Sequence, residues 1–337
     1  MKRKMKFTAL IAVMALLLMT VAGCGDSSSG GGSAESDNTG EVYKVGIVQQ
    51  LEHPALDEAT KGFEQALIDK LGEDGVSFDL QNAQNEQANC STISQGFVSG
   101  NVDLIMANGT NALQAASAAT ADIPIVATSI TDYATALNIE DWTGSTGTNV
   151  TGTSDLAPLQ QQAEMIKELV PDVQKVGLLY CSAEANSAYQ VSEIEKYLDE
   201  MNIAYEEYAA ADSNEIQAVT TSAVAECDAL YIPTDNTMAS NTEIVNNIAQ
   251  PAGVPVIAGE EGICSGCGIA TLTISYYDIG YAAGEMAYDI LVNGTDPGTM
   301  EIQTAKNVTK KYNPTICEAL NITVPEVYEP ISTDEEA

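Results

Sequence analysis

Six polar segments of the sequence each follow a run of apolar residues, and their side chains are the ones that could do chemistry. The segments are 49–54, 108–111, 128–132, 181–187, 234–236 and 259–262. If the apolar runs are strands of a parallel sheet, their carboxyl ends share one edge, where open α/β sheets bind ligands. Asn, Thr, Ser and Asp also form turns and helix caps, so each single segment has a second interpretation. Taken together, the segments favour a cleft lined with hydrogen-bonding groups.

Most candidates for the ligand-binding site lie in these segments, and Asp155 and Tyr276 lie outside them. The candidates are Gln49, Asn108, Gly109, Thr110, Ser129, Asp155, Asn186, Ser187, Asp235, Asn236, Glu260 and Tyr276. The residues predicted to hold the charged end of a ligand are Thr110, Ser129, Asn186 and Asp235. Backbone N–H groups that open the helix after Gly109 would receive a carboxylate, and Asp235 would pair with an ammonium. Alternatively, Asp235 only caps a helix that begins near Met238.

Histidine and cysteine offer little catalytic or metal chemistry. His53 is the only histidine and precedes Pro54, which indicates a turn, so a Ser-His-Asp triad would depend on this one residue. Cys264 and Cys267 have CxxC spacing. A disulfide, free structural thiols and a metal or redox role all stay open for this pair. The sequence contains neither common phosphate-binding glycine motif. We therefore expect no catalytic residues, no metal and no cofactor.

Apolar periodicity alternates between strand and helix along the body of the chain. The predicted strands are 43–49, 76–80, 102–107, 124–128, 175–180, 204–208, 229–233 and 254–258, with weak strands at 300–303 and near 308. The predicted helices are 55–71, 91–99, 112–121, 187–201, 215–226, 240–249 and 276–293. This order of strands and helices indicates parallel sheets covered by helices on both faces.

The pattern restarts near residue 175, where KVGLLY repeats KVGIV of residues 44–48. The predicted fold class is therefore α/β, with two doubly wound parallel-sheet lobes. The helix at 276–293 follows a complete second lobe, so the chain is expected to cross back and form a hinge of several crossings. The expected divisions are 42–152 plus 276–304 for lobe one, 153–275 plus 305–330 for lobe two, and 331–337 for an acidic tail.

The first residues have the pattern of an exported lipoprotein. Basic residues at 1–6 precede an apolar stretch, which ends in Val21-Ala22-Gly23-Cys24. This succession is typical of a secretory signal peptide, and the cysteine after small residues resembles a lipobox. We predict a signal peptide at 1–23, a lipid on Cys24 and a flexible tether to residue 41. A transmembrane anchor is the alternative, although the apolar stretch is short for the ~20 residues that a span needs.

The composition is strongly acidic, with 13 Lys and Arg against 48 Asp and Glu and a formal net charge of −35. Nucleic acid is excluded as a partner, because phosphate binding depends on clusters of Lys and Arg. Electrostatic adhesion to anionic lipid is disfavoured for the same reason, so membrane attachment would rest on the lipid. Mutual repulsion between such acidic copies favours a monomer.

The chain resembles the ABC transporter substrate-binding lipoproteins of the tryptophan and tyrosine uptake type. The similar segments are VGIVQQLEHPALDEATKGF (45–63), MANGTNALQAA (106–116), SITDYATAL (129–137), NVTGTSDLAP (149–158), SAEANS (182–187), IPTDNT (232–237), AGEEG (258–262) and SYYDIGYAAG (275–284). The resemblance implies a type I periplasmic-binding fold with two lobes and a hinge. CSGC at 264–267 departs from the pattern, since Gly and small residues are expected there.

The resemblance also implies that the protein captures a small molecule, with an aromatic amino acid favoured, and delivers it to ABC permease subunits. Tyr133, Tyr180 and Tyr276 could supply a flat slot for such a ligand, but each is equally suited to a core or surface position. Two other functions stay open. One is an exported ligand sensor, and the other is an exported enzyme that uses Cys264 and Cys267 and would need a general base.

Overall fold

The computed structural model describes residues 42–331, which form an α/β body with two sheets. The strands are β1 (Tyr43–Gln49), β2 (Val76–Asn82), β3 (Leu104–Asn108), β4 (Ile125–Ile130), β5 (Val150–Ser154), β6 (Lys175–Cys181), β7 (Ala204–Ala210), β8 (Ala229–Ile232), β9 (Val256–Ala258), β10 (Ala270–Thr273), β11 (Gln303–Thr304), β12 (Thr309–Tyr312) and β13 (Glu329–Pro330). The strand order is β11-β5-β4-β3-β1-β2 in the first sheet and β13-β12-β10-β9-β8-β6-β7 in the second. Neighbouring strands are parallel except β10 and β12, which are antiparallel.

The helices fill the connections between the strands. They are α1 (Pro54–Leu71), α2 (Gln87–Gly100), α3 (Thr110–Ala119), α4 (Tyr133–Leu137), α5 (Leu159–Leu169), α6 (Ala185–Met201), α7 (Ile216–Glu226), α8 (Asn236–Ala239), α9 (Thr242–Ala252), α10 (Glu261–Cys267), α11 (Tyr276–Asn293) and α12 (Pro314–Ala319). Short 3₁₀ turns occupy Glu73–Gly75 and Pro297–Thr299.

Helices cover both faces of the first sheet, because successive strand residues point to opposite sides. Ile47 of β1 packs with Phe63 of α1 and Met286 of α11. The next residue, Val48, packs on the other face with Phe97 of α2. We call this sheet and its helices the first lobe.

The second sheet is built in the same way. Leu178 of β6 packs with Ile166 of α5 and Ile194 of α6. Leu179 faces the opposite side, where it packs with Val245 of α9. We call this sheet and its helices the second lobe. The doubly wound α/β class predicted from the sequence is confirmed.

The chain passes between the lobes at residues 155–158, 274–275 and 305–308. Between the last two crossings, α11 lies on the first lobe, against α1, β4 and β5. The approach to α1 is close, since a Cβ on Gly280 would lie 2.0 Å from the backbone oxygen of Ala59. This contact fixes the start of α11, and with it Tyr276, relative to the first lobe.

The structure also contains elements that the sequence analysis missed. β5 is absent from the predicted strands because its residues are polar. Its Thr153 hydroxyl donates to Thr128 Oγ1 at 2.9 Å and to the oxygen of Ile279 at 3.1 Å. β5 ends at Ser154, whereas the predicted boundary of lobe one lies after residue 152.

The prediction of a helix that begins at residue 240 and ends at 249 is wrong at its N-terminal end. Two helices, α8 and α9, are separated at Ser240 and Asn241. The Asn241 side chain donates to the backbone oxygen of Thr237 at 2.7 Å, which ends α8 locally. The helices α4, α5, α8, α10 and α12 and the strands β10 and β13 were also not predicted.

The predicted signal peptide, the lipid on Cys24 and the tether lie outside the described residues, as does the acidic tail beyond Ile331. Among residues 42–331, no helix combines the length and the apolar character that crossing a membrane requires. The cysteines of the body, including Cys264 and Cys267, are free and buried.

Candidate functional site

The carboxyl-end loops of the two sheets face each other, and a narrow cavity lies between them. We call it the interlobe cavity. Its lining residues are His53, Leu56, Ser129, Asp155, Asn186, Thr234, Asp235, Asn236, Ala239, Glu260 and Tyr276. They come from the first lobe, from the second lobe and from the crossing segments. The cavity is therefore built where open α/β sheets bind ligands.

Asp155 follows β5 in the first crossing and is only 4% exposed. Its Oδ1 accepts from the Thr131 hydroxyl at 3.0 Å, and its Oδ2 accepts from the Tyr276 hydroxyl at 3.1 Å. Burial raises the pKa of Asp155 to about 6, the two hydroxyl donors oppose the rise, and the charge of Glu260 adds to it. Because Tyr276 begins α11, this carboxyl joins two of the crossing segments.

Asp235 is held by backbone N–H groups. Its Oδ1 accepts from the N–H of Met238 at 2.8 Å and so caps α8, and its Oδ2 accepts from the N–H of Cys181 at 2.6 Å. Burial raises the pKa of Asp235 well above its ordinary value, and the nearby Glu184 carboxylate raises it further. The structure therefore shows the capping interaction that was the alternative interpretation of this residue.

Glu260 is a second buried cap on the second lobe. Its carboxylate accepts from the N–H groups of Gly262 and Ile263 at the start of α10. Burial raises the pKa of Glu260, while His53 and these backbone donors lower it. Asp235 and Glu260 thus place carboxyl groups at the cavity with most of their geometry already fixed by helix N-termini.

Glu184 lies directly behind the cavity wall and is 1% exposed. One carboxylate oxygen accepts from the N–H and the hydroxyl of Thr237, at 2.8 Å and 2.6 Å. The other accepts from the N–H and the side-chain Nδ2 of Asn236, at 3.1 Å and 2.7 Å. Its negative charge is therefore compensated only by neutral donors.

Two lining residues keep unused hydrogen-bonding capacity. Asn186 Nδ2 donates to the backbone oxygen of Thr234 at 3.0 Å, but Asn186 Oδ1 has no partner within residues 42–331. The Ser129 hydroxyl is likewise buried without a partner in this part of the chain. Ser129 has a φ of 58° and lies where the register of β4 shifts between Ala127 and Ile130. Such bulges redirect side chains beside functional sites.

Hydrogen bonds also link the lobes around the cavity. His53 Nε2 lies 3.0 Å from Asn236 Oδ1. A longer chain runs from Gln50 Nε2 to Asn85 Oδ1 at 2.9 Å, and from Asn85 Nδ2 to Thr237 Oγ1 at 2.8 Å. Thr237 in turn donates to Glu184, so the acidic group of the second lobe is connected to the first lobe.

The structure places some of the predicted site residues at the interlobe cavity and others away from it. Those that line the interlobe cavity are Ser129, Asp155, Asn186, Asp235, Asn236, Glu260 and Tyr276. Those that do not are Gln49, Asn108, Gly109, Thr110 and Ser187.

The outer residues have structural partners that explain their places. The Gln49 side chain donates to Asp57 at 2.7 Å, and Asn108 Nδ2 donates to the backbone oxygen of Leu56, also at 2.7 Å. Gly109 has a φ of 100°, and a Cβ there would lie 2.7 Å from Gln50 Oε1. That same oxygen accepts from the N–H of Asn111. The start of α3 is therefore partly satisfied within the lobe.

Tyr133 and Tyr180 do not supply walls of the cavity. The Tyr133 hydroxyl donates to the backbone oxygens of Ala127 and Thr153 in the core of the first lobe. The Tyr180 hydroxyl donates to Glu207 on the neighbouring strand β7. Of these candidates for a flat slot, Tyr276 alone reaches the cavity.

The predicted site residues did not include the lining residues His53, Leu56, Thr234 and Ala239, although His53 and Thr234 lie in segments predicted to line the cleft. His53 has a signal in the sequence, because it is the single histidine and lies in a segment after a strand. We interpreted it as part of a turn. Leu56 and Ala239 are ordinary helix residues in sequence, and only the packing of the lobes places them at the cavity.

Comparison with known proteins gives consistent matches. A family model described as "ABC transporter substrate binding protein" matches residues 44–331. The tyrosine-binding protein of Clostridioides difficile (strain R20291) is 37% identical over 308 residues, covering 90% of this chain and 89% of that protein. The structure of an ABC domain from Streptococcus pneumonia in complex with L-Trp has 32% identity and a TM-score of 0.82, covering 86% of this chain and 100% of that one.

A further structural relative is a ligand-free, open substrate binding protein with adhesive properties from Clostridium difficile. It is 37% identical, covers 87% of this chain and 100% of its own, and has a TM-score of 0.67. The superposition is thus better with the L-Trp complex, although that protein is less similar in sequence.

Proposed function

The chain belongs to the family of ABC transporter substrate-binding proteins, and on that premise we propose that it captures an aromatic amino acid in the interlobe cavity, outside the cell membrane, and delivers it to an ABC importer. The observation that carries the proposal is a cavity between two lobes with buried polar atoms that lack protein partners, on Ser129 and Asn186. Buried polar atoms are nearly always satisfied, so a ligand is the natural partner.

The proposed site consists of the predicted residues that line the cavity, together with His53. Asp155 is the group best suited to a ligand ammonium, because its own partners are side-chain hydroxyls, which can adjust when a cation arrives. Ser129 and Asn186 would complete the polar contacts. Asp235 contributes negative charge beside them, although its oxygens already accept from backbone N–H groups.

The aromatic ring of the ligand would contact the apolar and flat part of the lining. Leu56 and Ala239 supply apolar surface, and Tyr276 supplies an aromatic ring. Support for an aromatic ligand also comes from the relatives, since one is named a tyrosine-binding protein and another was solved with L-Trp.

We propose that the lobes close on the ligand by rotation about the crossing segments. The first lobe would hold 42–152 and 276–304, and the second lobe 153–275 and 305–330. The place of β11 in the first sheet and of β12 in the second supports the later boundary. The end of β5 at Ser154 supports a first boundary slightly beyond residue 152.

We also propose that a lipid on Cys24 anchors the protein to the membrane. The support is the sequence Val21-Ala22-Gly23-Cys24 after an apolar stretch and before a Gly/Ser-rich tether. Replacement of Cys24 by Ser should release the protein into the medium. If the Cys24→Ser protein stays with the membrane fraction as firmly as its parent, the lipid anchor is refuted.

The proposed ligand class is tested by isothermal titration calorimetry with L-tyrosine, L-tryptophan and L-phenylalanine, with L-leucine and L-glutamate as controls. We expect binding of at least one aromatic amino acid in the micromolar range or tighter, and no measurable binding of the controls. Mass spectrometry of the ligand retained by the purified protein gives an independent identification. Absence of binding for all three aromatic amino acids would refute the proposal.

A further inference from the structure

The polar groups around the interlobe cavity are unequally divided between donors and acceptors. Of the described residues that line it, none is a Lys or an Arg. The carboxyl groups of Asp155, Asp235 and Glu260 line it, and Glu184 lies directly behind. An α-amino acid carries one cationic and one anionic end. The carboxyl groups of the wall favour the cationic end, and His53 is the one basic side chain among the described lining residues.

Apart from the Ser129 hydroxyl, the side-chain donors described at the cavity are already committed to the protein. The Tyr276 hydroxyl donates to Asp155, and the side-chain amide of Asn236 donates to Glu184. The ring nitrogen Nε2 of His53 contacts Asn236 Oδ1 at 3.0 Å. A ligand carboxylate would have to compete with these buried interactions.

Acceptor capacity, by contrast, is still available. Asn186 Nδ2 points to the backbone oxygen of Thr234, so the orientation of the amide is fixed and Oδ1 is left as an unpartnered acceptor in the described structure. Each oxygen of the Asp155 carboxylate accepts one hydroxyl and can accept a further donor. An ammonium offers three donors and no acceptor, which matches this set.

Electrostatics favours the same end of the ligand. Several carboxyl groups are buried close together, and burial and mutual repulsion raise the pKa of Asp155 and of Asp235. In a region of low dielectric, an uncompensated charge interacts strongly with an incoming charge. A ligand cation would relieve this repulsion, whereas a second anion would increase it.

We infer that the interlobe cavity recognises its ligand chiefly through the ammonium group, and that primary arylalkylamines without a carboxylate are therefore also ligands of this protein. The inference rests on the proposed function, because it assumes that the aromatic amino acid binds in this cavity. It goes further in naming which end of the ligand determines affinity. The ligand carboxylate receives only neutral donors, such as the Ser129 hydroxyl and backbone N–H groups.

The test is a calorimetric series on the full protein with ligands that differ by one charged group. The first set is L-tyrosine, L-tyrosinamide, tyramine and 3-(4-hydroxyphenyl)propionate, and the second set is L-tryptophan, L-tryptophanamide, tryptamine and indole-3-propionate. The amide and the amine should bind within about 30-fold of the parent amino acid, since they lose contacts only to neutral donors. The propionate should bind at least ~300-fold more weakly, because the buried carboxyl groups are left without a cation.

A variant sharpens the same series. In Asp155→Asn, the preference for the amine over the propionate should fall by at least about tenfold, because one negative charge is removed while the shape of the side chain is kept. Asp103→Asn is the matched control, since Asp103 is an exposed aspartate that accepts from the N–H of Lys44. The control should keep the parental preference.

The outcomes separate the two proposals. If neither parent amino acid binds, the proposed function fails. If a parent amino acid binds but its propionate analogue binds as well as or better than the amine, the proposed function stands and recognition through the ammonium is refuted. A preference that is unchanged in Asp155→Asn contradicts the assignment of this carboxyl as its origin.

Discussion

The two lobes present similar polar segments after their strands, but they use these side chains differently. In the first lobe, Gln49 and Asn108 bind within the lobe and do not reach the cavity. In the second lobe, Asp235 and Glu260 reach the cavity as caps of short helices. The groups with remaining capacity are fewer, namely Asp155, Asn186 and Ser129. We therefore expect a polar residue after a strand to contact the ligand when it both lines the cavity and keeps an unsatisfied atom; Asn108 Oδ1 is also unsatisfied in the described structure but lies outside the cavity.

The largest expected effect distinguishes Asp155 from the capping carboxyl groups. Asp155→Asn should weaken binding of the aromatic amino acid by about 100-fold or more, because a buried charged partner of the ammonium is lost. Its melting temperature should change little, since an amide can still accept one of the two hydroxyl donors. Calorimetry and thermal unfolding measure both quantities. A near-parental affinity would place the ammonium elsewhere.

Asp235→Asn should instead affect the stability of the fold more than the affinity for the ligand. The side chain caps α8 and also accepts from the N–H of Cys181, so an amide must leave one backbone donor unpaired. We expect a loss of about 1–3 kcal/mol in the free energy of unfolding and a smaller loss of affinity than in Asp155→Asn. Chemical denaturation measures the free energy of unfolding, and calorimetry measures the affinity. A stable protein that has lost its ligand would make Asp235 the anchor and reverse the comparison.

The pH dependence of stability and of ligand binding should follow the titration of Asp155, whose pKa is raised from the ordinary 3.8 to about 6. The ligand-free fold favours the protonated carboxyl, so this stabilising contribution is present below 3.8 and is lost as the pH rises through about 6. The affinity for the ligand has the opposite pH dependence and increases as the pH rises, because the ligand ammonium pairs with the ionised carboxylate. Thr131, Tyr276 and Glu260 are the groups that act on this titration.

Affinity should therefore be constant at neutral pH and decrease by up to about tenfold per pH unit below the pKa of Asp155. Titrations across this range in the parent protein and in Asp155→Asn measure the effect. The variant should have a flatter profile, with a residual slope from Glu260. A parental profile that is flat down to acidic pH contradicts the role of Asp155.

The smallest expected effect concerns the hydrogen bonds between the lobes. Asn85→Ala removes the link from Gln50 to Thr237, and affinity should fall by about 2- to 10-fold, the value of one or two neutral hydrogen bonds. Gln81→Ala is the control, because its side chain is exposed and bonds only to Asp79. Equal affinities of the two variants would show that this link does not stabilise the arrangement that binds ligand.

Much of the fold could be predicted from the sequence, because apolar periodicity is a local property. The run from Leu56 to Leu71 identifies α1, and the repeat of KVGIV as KVGLLY identifies the second lobe. β5 was missed because its Thr153 is polar yet buried, and its hydroxyl is satisfied by partners from β4 and α11. No local pattern contains that information.

The candidate site was predictable only in part, for a related reason. Polar residues after predicted strands can be identified locally, and this brought Asn186 and Asp235 into the prediction, whereas Asp155 follows the missed strand β5. Which of them remain unsatisfied depends on contacts over long separations, such as the 121 residues between Asp155 and Tyr276. His53 was interpreted as a turn because it precedes Pro54, and its contact with Asn236, 183 residues away, has no local signal.

The central claim is that the interlobe cavity binds an aromatic amino acid by its ammonium group. A crystal structure of the protein with its tightest-binding aromatic amino acid tests this most directly. We predict that the ligand nitrogen lies about 3 Å from the Asp155 carboxylate and from Asn186 Oδ1, at hydrogen-bonding distance. A ligand bound outside the interlobe cavity, or bound inside it with its carboxylate toward Asp155, would contradict the account.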